Sequence, residues 1–91
     1  MTDNEINTFI ADIEGRCSTP DYCRDWSEIG PIIEREIIDI RQSFRTEGSW
    51  SAIAYDEHDN KVNEGIADTP TKAAALCYLK MKGADYGKRR P

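Results

Sequence analysis

A chain of 91 residues suffices for one domain and falls short of two. At 38% hydrophobic and 32% charged residues it is neither a disordered polyelectrolyte nor a membrane-spanning protein, since no apolar run approaches the ~20 residues a bilayer requires. The net charge of −5 is unevenly spread: Lys88, Arg89 and Arg90 lie together near the end, which leaves residues 1–87 at −8 and disfavours phosphate binding through the body of the fold.

The first predicted element is a helix over about residues 3–14. Ile6, Phe9, Ile10 and Ile13 form one stripe, with Asp3 as the expected cap and Gly15 as the stop. RCSTPDYC follows as a loop. A second helix is predicted over about 26–36: Asp25 and Glu28 have capping-box spacing, and Trp26, Ile29, Ile32, Ile33 and Ile37 make its apolar face. Gly30 and Pro31 interrupt the composition without breaking the period. Pro31 lies away from the apolar stripe, where the carbonyl it leaves unpaired faces water, so a curved or restarted helix is expected.

From Ile38 the period changes to two, with Ile38, Ile40, Gln42 and Phe44 on one face of a strand and Asp39, Arg41, Ser43 and Arg45 on the other. TEGS is a turn. WSAIAY, 50–55, carries apolar groups on both faces and is expected to be a central strand covered on both sides. DEHDN is a polar hairpin loop, and KVNEGIA, 61–67, is a third strand weakened by Gly65. DTPTKAAALCYLKMKG then closes the chain as a helix, with Thr69 as cap, Pro70 in the first turn and Gly83 just past the end. Its inward face is Ala73, Ala74, Leu76, Cys77 and Met81, and its alanines allow close approach to Ala52 and Ala54.

The elements add up to an α+β domain of order α-α-β-β-β-α over residues 1–87, an antiparallel three-stranded meander with helices on both faces, followed by a basic tail at 88–91.

DWSEIGPIIE (Asp25–Glu34), WSAIAYD (Trp50–Asp56) and ADTPTKAAALCYLK (Ala67–Lys80), in that order, resemble a family of small phage and prophage proteins described as α–β–α sandwich domains, among them nin-region proteins of lambdoid phages. The resemblance covers residues 25–83. It implies a viral origin and helices on both sheet faces, and it carries over no catalytic residue. The family's closing helix commonly has a large aliphatic residue and an arginine after its proline; Thr71 and Lys72 stand there in this chain, which puts a contact of that arginine in doubt.

Candidate chemistry is sparse. Cys17 and Cys23 are separated by five residues, too many for a zinc knuckle, and no second pair completes a site. Cys77 falls in an apolar helical stripe and is expected in the core. His58, the single histidine, sits in an acidic loop with Asp56 and Asp59 that lacks calcium-loop spacing, and a hairpin tip is a poor place to orient a general base. Glu28, Glu34, Glu36 and Asp39 are expected to be solvated charges. No catalytic residue, metal ligand or cofactor is therefore assigned. Trp26 is expected in the core.

Trp50 and Tyr55 are candidate partner contacts, because large aromatics concentrate binding energy at interfaces. Lys88, Arg89 and Arg90 are candidate contacts for nucleic acid or an acidic partner. The expected function is that of a non-enzymatic phage or prophage accessory protein that binds a host or viral protein in the bacterial cytoplasm. The alternative is a nucleic-acid-related factor, using the basic tail directly or the acidic body as a phosphate mimic against a host enzyme. A homodimer through the exposed edge strand 61–67 is also expected.

Overall fold

In the computed structural model, Thr2 and not Asp3 caps the first helix, α1 (Asp3–Glu14). The structure describes residues 2–43, 48–56, 58 and 60–89, the last six by backbone alone. Thr2 Oγ1 accepts the Glu5 N–H at 3.2 Å while Glu5 Oε1 accepts the Thr2 N–H at 3.0 Å, a reciprocal capping box. Asp3, released from capping, pairs with Lys72 at 2.9 Å and with Arg24 at 3.6 Å. Gly15 ends α1 in the left-handed region at φ 70°.

The buried stripe of α1 is Ile6, Asn7, Ile10 and Ala11, and Phe9 is 52% exposed. The stripe is rotated because the segment after the helix, expected to be a surface loop, packs inward. Asn7 holds it: Nδ2 donates to Asp21 at 3.0 Å and Oδ1 accepts the Cys23 N–H at 3.1 Å. Tyr22 and Cys23 are thereby fully buried.

Helix α2 (Trp26–Glu36) contains Gly30 and Pro31 and is continuous through both. Pro31 is exposed, as the placement of its unpaired carbonyl toward water requires. Asp25 caps the helix by accepting the Ser27 N–H at 3.0 Å, and Glu28 turns instead to Arg16 at 3.4 Å. Only Ile29 and Ile32 are buried on this helix. Trp26, expected in the core, is 53% exposed because it opens the helix at the rim. Ile37 is 81% exposed and adopts φ 55° as the C-cap.

The strands are β1 (Asp39–Gln42), β2 (Trp50–Tyr55) and β3 (Lys61–Ala67), antiparallel in the order β1-β2-β3. β1 is shorter than its alternation predicts, and Phe44 and Arg45 lie outside the described residues. Asp56 Oδ1 accepts the N–H groups of His58 and Asn60, both at 2.9 Å, and so closes the β2–β3 hairpin.

Helix α3 (Pro70–Arg89) opens as expected, with Thr69 Oγ1 accepting the Lys72 N–H at 3.3 Å. It does not end at Gly83. Glycine inside a helix costs only about 1 kcal/mol, and Gly83 does not take the left-handed conformation that would stop it. Lys88 and Arg89 therefore belong to the helical backbone, and Arg90 lies outside the described residues.

The element order and the meander agree with the sequence, but the layering does not. α3 packs on β2 and β3, and α1 and α2 pack on α3. All three helices therefore lie on one side of the sheet, and among the described residues no helix covers the other. β2 has apolar groups on both faces for a different reason: Ile53 on the far face is buried among the side chains of flanking strands.

The approach of α3 to the sheet is close. A Cβ on Gly65 would stand 2.3 Å from the Ala73 carbonyl oxygen and 2.5 Å from the Cys77 nitrogen. Gly65 is paired with Ala52, so the helix backbone rests on a patch of small residues. The glycine that weakens β3 as a strand is what admits the helix. Gly65→Ala is expected to destabilise the fold by about 1–3 kcal/mol or more, because backbone on both elements must move. Gly30→Ala, where a Cβ meets nothing within 4 Å, is expected to stabilise by roughly 0.5–1 kcal/mol. Urea unfolding of the two variants beside the parent chain measures both.

Candidate functional site

Because Ala52 and Ala54 face α3, the alternate residues of β2, Ser51, Ile53 and Tyr55, face away from the helices. The pairing register places this outward face in rungs. Asp39, Ile53 and Glu64 make one rung, Arg41, Ser51 and Ile66 the next, and Tyr55 pairs with Lys61 on the opposite side of the first. Arg41, Ser51, Ile53, Lys61, Glu64 and Ile66 line a shared open depression.

The charges on this face are tied to one another. Arg41 pairs with Asp39, Lys61 Nζ lies 2.6 Å from Glu64 Oε1, and Ser51 Oγ donates to Glu64 Oε2. Asp39, Arg41, Lys61 and Glu64 sum to zero, in contrast with the acidic chain as a whole. Around them stand exposed apolar groups: Tyr55 at 42%, Ile66 at 46% and Val62, in the bulge of β3, at 57%. Ile37, strained and exposed, precedes β1 at the same end of the sheet as Tyr55.

The candidate residues read from the sequence do not come together. Trp50 lies on the helix-facing side of β2, half-buried against the core, whereas Tyr55 is on the outward face at the other end of the strand. The backbone of Lys88 and Arg89 continues α3. Ile53, Ile66, Arg41, Lys61 and Glu64 escaped the sequence reading as a group because only the register assembles them.

A second cluster joins the helices. Arg35 donates to both carboxylate oxygens of Glu14, at 3.0 and 2.9 Å, and to Glu36 at 2.8 Å. Tyr78 Oη donates to Glu14, and its ring lies beneath Arg35 and Lys82 at 5.9 and 5.8 Å. Lys82 completes the group on Glu36 at 3.6 Å. Glu36, expected to be a solvated charge, is thus a bridge between α2 and α3. The Arg35 hydrogen bonds hold Glu14 below its ordinary pKa of 4.5, and burial followed by the Glu14 bond pushes the Tyr78 phenol up.

Burial also pushes the Cys23 and Cys77 thiols up to about 11, so both stay protonated near neutral pH. Among the described residues no three His, Cys, Asp or Glu side chains gather as a metal site, and no helix is long and apolar enough to cross a membrane. Asp59, one of the residues considered beside His58, lies outside the described residues.

The family described as Bacteriophage P22, NinX matches residues 16–82. The chain belongs to that family. The match to NinX takes in α2, the whole sheet and α3 as far as Lys82, and hence the entire outward face, together with Arg35 and Tyr78 but not Glu14. No curated protein and no solved structure matches the chain. At the positions where the closing helix departs from the expected aliphatic–arginine pair, Thr71 Oγ1 donates to the Cys23 carbonyl at 2.6 Å and Lys72 holds Asp3.

The helix cluster supplies stability and not surface. A carboxyl with a depressed folded-state pKa stabilises the fold above its unfolded value, and that contribution is lost as the pH falls through the lower, folded-state value. Glu14→Gln is therefore expected to destabilise the chain at pH 7 and to flatten its loss of stability below about pH 4.5. Tyr78→Phe, which removes a donor from Glu14, is expected to cost about 1–2 kcal/mol. Tyr22→Phe is expected to be neutral or mildly stabilising, because the buried Tyr22 hydroxyl finds no partner among the described residues. Melting temperatures between pH 3 and 7 test all three.

Proposed function

We propose that this chain is a phage accessory protein that acts without catalysis, by binding a host or viral protein in the infected cell's cytoplasm. The observation that carries the reading is the outward sheet face, which no helix covers among the described residues. A small domain ordinarily buries apolar strand residues against another layer. Here, among the described residues, Ile53 is sheltered by neighbouring strand side chains, and Tyr55, Ile66 and Val62 are left in solvent. Membership of the NinX family supports the viral setting.

The composition of the face suits a protein partner better than a polyanion. Among the described residues its charges cancel, so they present no basic field to phosphate, and the acidic balance of the chain repels one. Ile53 is the apolar centre of the face, the paired charges flank it, and Tyr55 and Ile66 stand exposed at its margins for apolar contact. Tyr55, at the rim of β2, is the aromatic anchor of this reading. Trp50 is assigned to packing.

Affinity capture of the tagged chain from infected cells tests the proposal, run with and without nuclease and beside the variants Tyr55→Asp and Ile66→Asp. The expected outcome is a co-purifying protein that survives nuclease and is lost from both variants. A catch released by nuclease, or one indifferent to both substitutions, contradicts it.

A further inference from the structure

We infer that the outward sheet face docks a second copy of this chain, face to face across a two-fold axis. The inference rests on the reading of that face as a protein-docking surface and names its occupant. Two features of the face select a copy of itself.

The first is the order of its charges. A surface that recognises a strongly acidic or basic partner carries one sign, but this one alternates. Along β3, Lys61 and Glu64 stand on adjacent rungs; along β2, so do Tyr55 and Ile53. A two-fold axis lying between the faces, normal to the strands and midway between these rungs, exchanges them. It sets Glu64 over the partner's Lys61, and Ile53 over the partner's Tyr55, and repeats both contacts by symmetry. Opposite charges meet and apolar groups meet, so the face is complementary to itself. Its described charges also sum to zero within a chain of charge −5, and so offer two acidic bodies a surface on which they can approach.

The second feature is the state of the edge. Lys80 Nζ donates to the Glu64 carbonyl of β3 at 2.7 Å. Lys80 reaches from α3 to occupy a backbone acceptor of the edge strand, and a lysine at a strand edge discourages the strand-to-strand addition expected from the sequence of residues 61–67. Association through the flat of the sheet needs none of those backbone groups.

The contact is small. With the axis midway between the Ile53 and Tyr55 rungs, about three residues of each strand overlap, and three strands at ~4.8 Å spacing and ~3.3 Å rise then give roughly 150 Å² per copy. That falls short of the ~1,000 Å² total of most stable interfaces and places the dimer in the weak, exchanging class.

The test uses the intact chain and the variants Lys61→Glu and Glu64→Lys. Sedimentation equilibrium of the parent chain is expected to show a mass rising from 10.3 kDa toward twice that value as the concentration approaches roughly 1 mM. Each variant alone places like charges across the axis and is expected to dimerise at least tenfold more weakly. An equimolar mixture of the two restores opposite charges at both contacts and is expected to recover the mass of a dimer. Circular dichroism melts confirm that the variants are folded. If Glu64→Lys unfolds by losing its bond to Ser51, Tyr55→Asp takes its place: loss of the dimer supports the inference and retention overturns it.

A parent chain that stays monomeric at 1 mM overturns the inference, as does a mixture that fails to recover. If the chain is monomeric while capture still yields a protein lost from the face variants, the face belongs to another protein. The docking reading then stands without the dimer.

Discussion

The separation between α3 and the sheet governs the rest of the molecule. At Gly65 the two backbones approach so closely that one added carbon would overlap the Ala73 carbonyl. Such a contact needs small residues on both partners, and the chain supplies Ala52, Ala54 and Gly65 from the strands and Ala73, Ala74 and Cys77 from the helix. The gain is dispersion between atoms at contact distance and exclusion of water from Ala52, Ala54 and Gly65 on the sheet's inner face. Its cost is a glycine in the strand, which lowers the intrinsic stability of β3 and makes that strand depend on the helix lying over it.

This placement makes α3 the middle layer. Ala73, Ala74, Ala75, Cys77 and Tyr78 are all buried, and they run around most of the helix circumference. A helix packed on one side shows a single stripe; one packed on two shows apolar residues all round. Ile6 and Ile10 of α1 and Ile29 and Ile32 of α2 then cover the side of α3 away from the sheet, each contributing about 1.5–3 kcal/mol by burial. The segment carrying Tyr22 and Cys23 fills the remaining space, held by Asn7 on one side and by Thr71 on the other. Polar groups thus fix the segment in place, and apolar ones stabilise it there.

Local patterns in the sequence were sufficient for the elements themselves. The change of period at Ile38, the polar hairpin turn after Tyr55 and the Thr-Pro opening of α3 each depend on neighbours a few positions apart, and each appears where expected. The layering was not legible, because an apolar residue on both faces of β2 has two explanations. Ile53 is sheltered by Arg41, Lys61 and Glu64, whose aliphatic stems cover apolar surface while their charges remain wet, and a linear pattern records only that Ile53 is apolar. The helix cluster was hidden for a related reason. Glu14, Arg35 and Tyr78 are 21 and 43 residues apart along the chain, and nothing in their local sequence distinguishes them from ordinary surface charges and a core aromatic. The exposure of Trp26 belongs to the same class, since its phase on α2 is apolar but its position at the first turn puts it beyond the reach of α3.

The outward face follows from this one-sided construction. With the helices stacked in two layers on the inner side, no helix among the described residues covers the back of the sheet. Two chemistries can keep such a surface soluble: uniform polarity, or apolar residues interleaved with paired charges. The chain has the second, although polar residues at positions 53, 55 and 66 satisfy β-sheet geometry equally well in threonine-rich form. Retaining Tyr55 and Ile66 gives up solubility for contact area, and Ile37 adds a residue that is strained as well as exposed. Under the docking proposal a second surface laid against Tyr55 and Ile66 recovers that cost, and the alternating charges between them determine which surfaces fit.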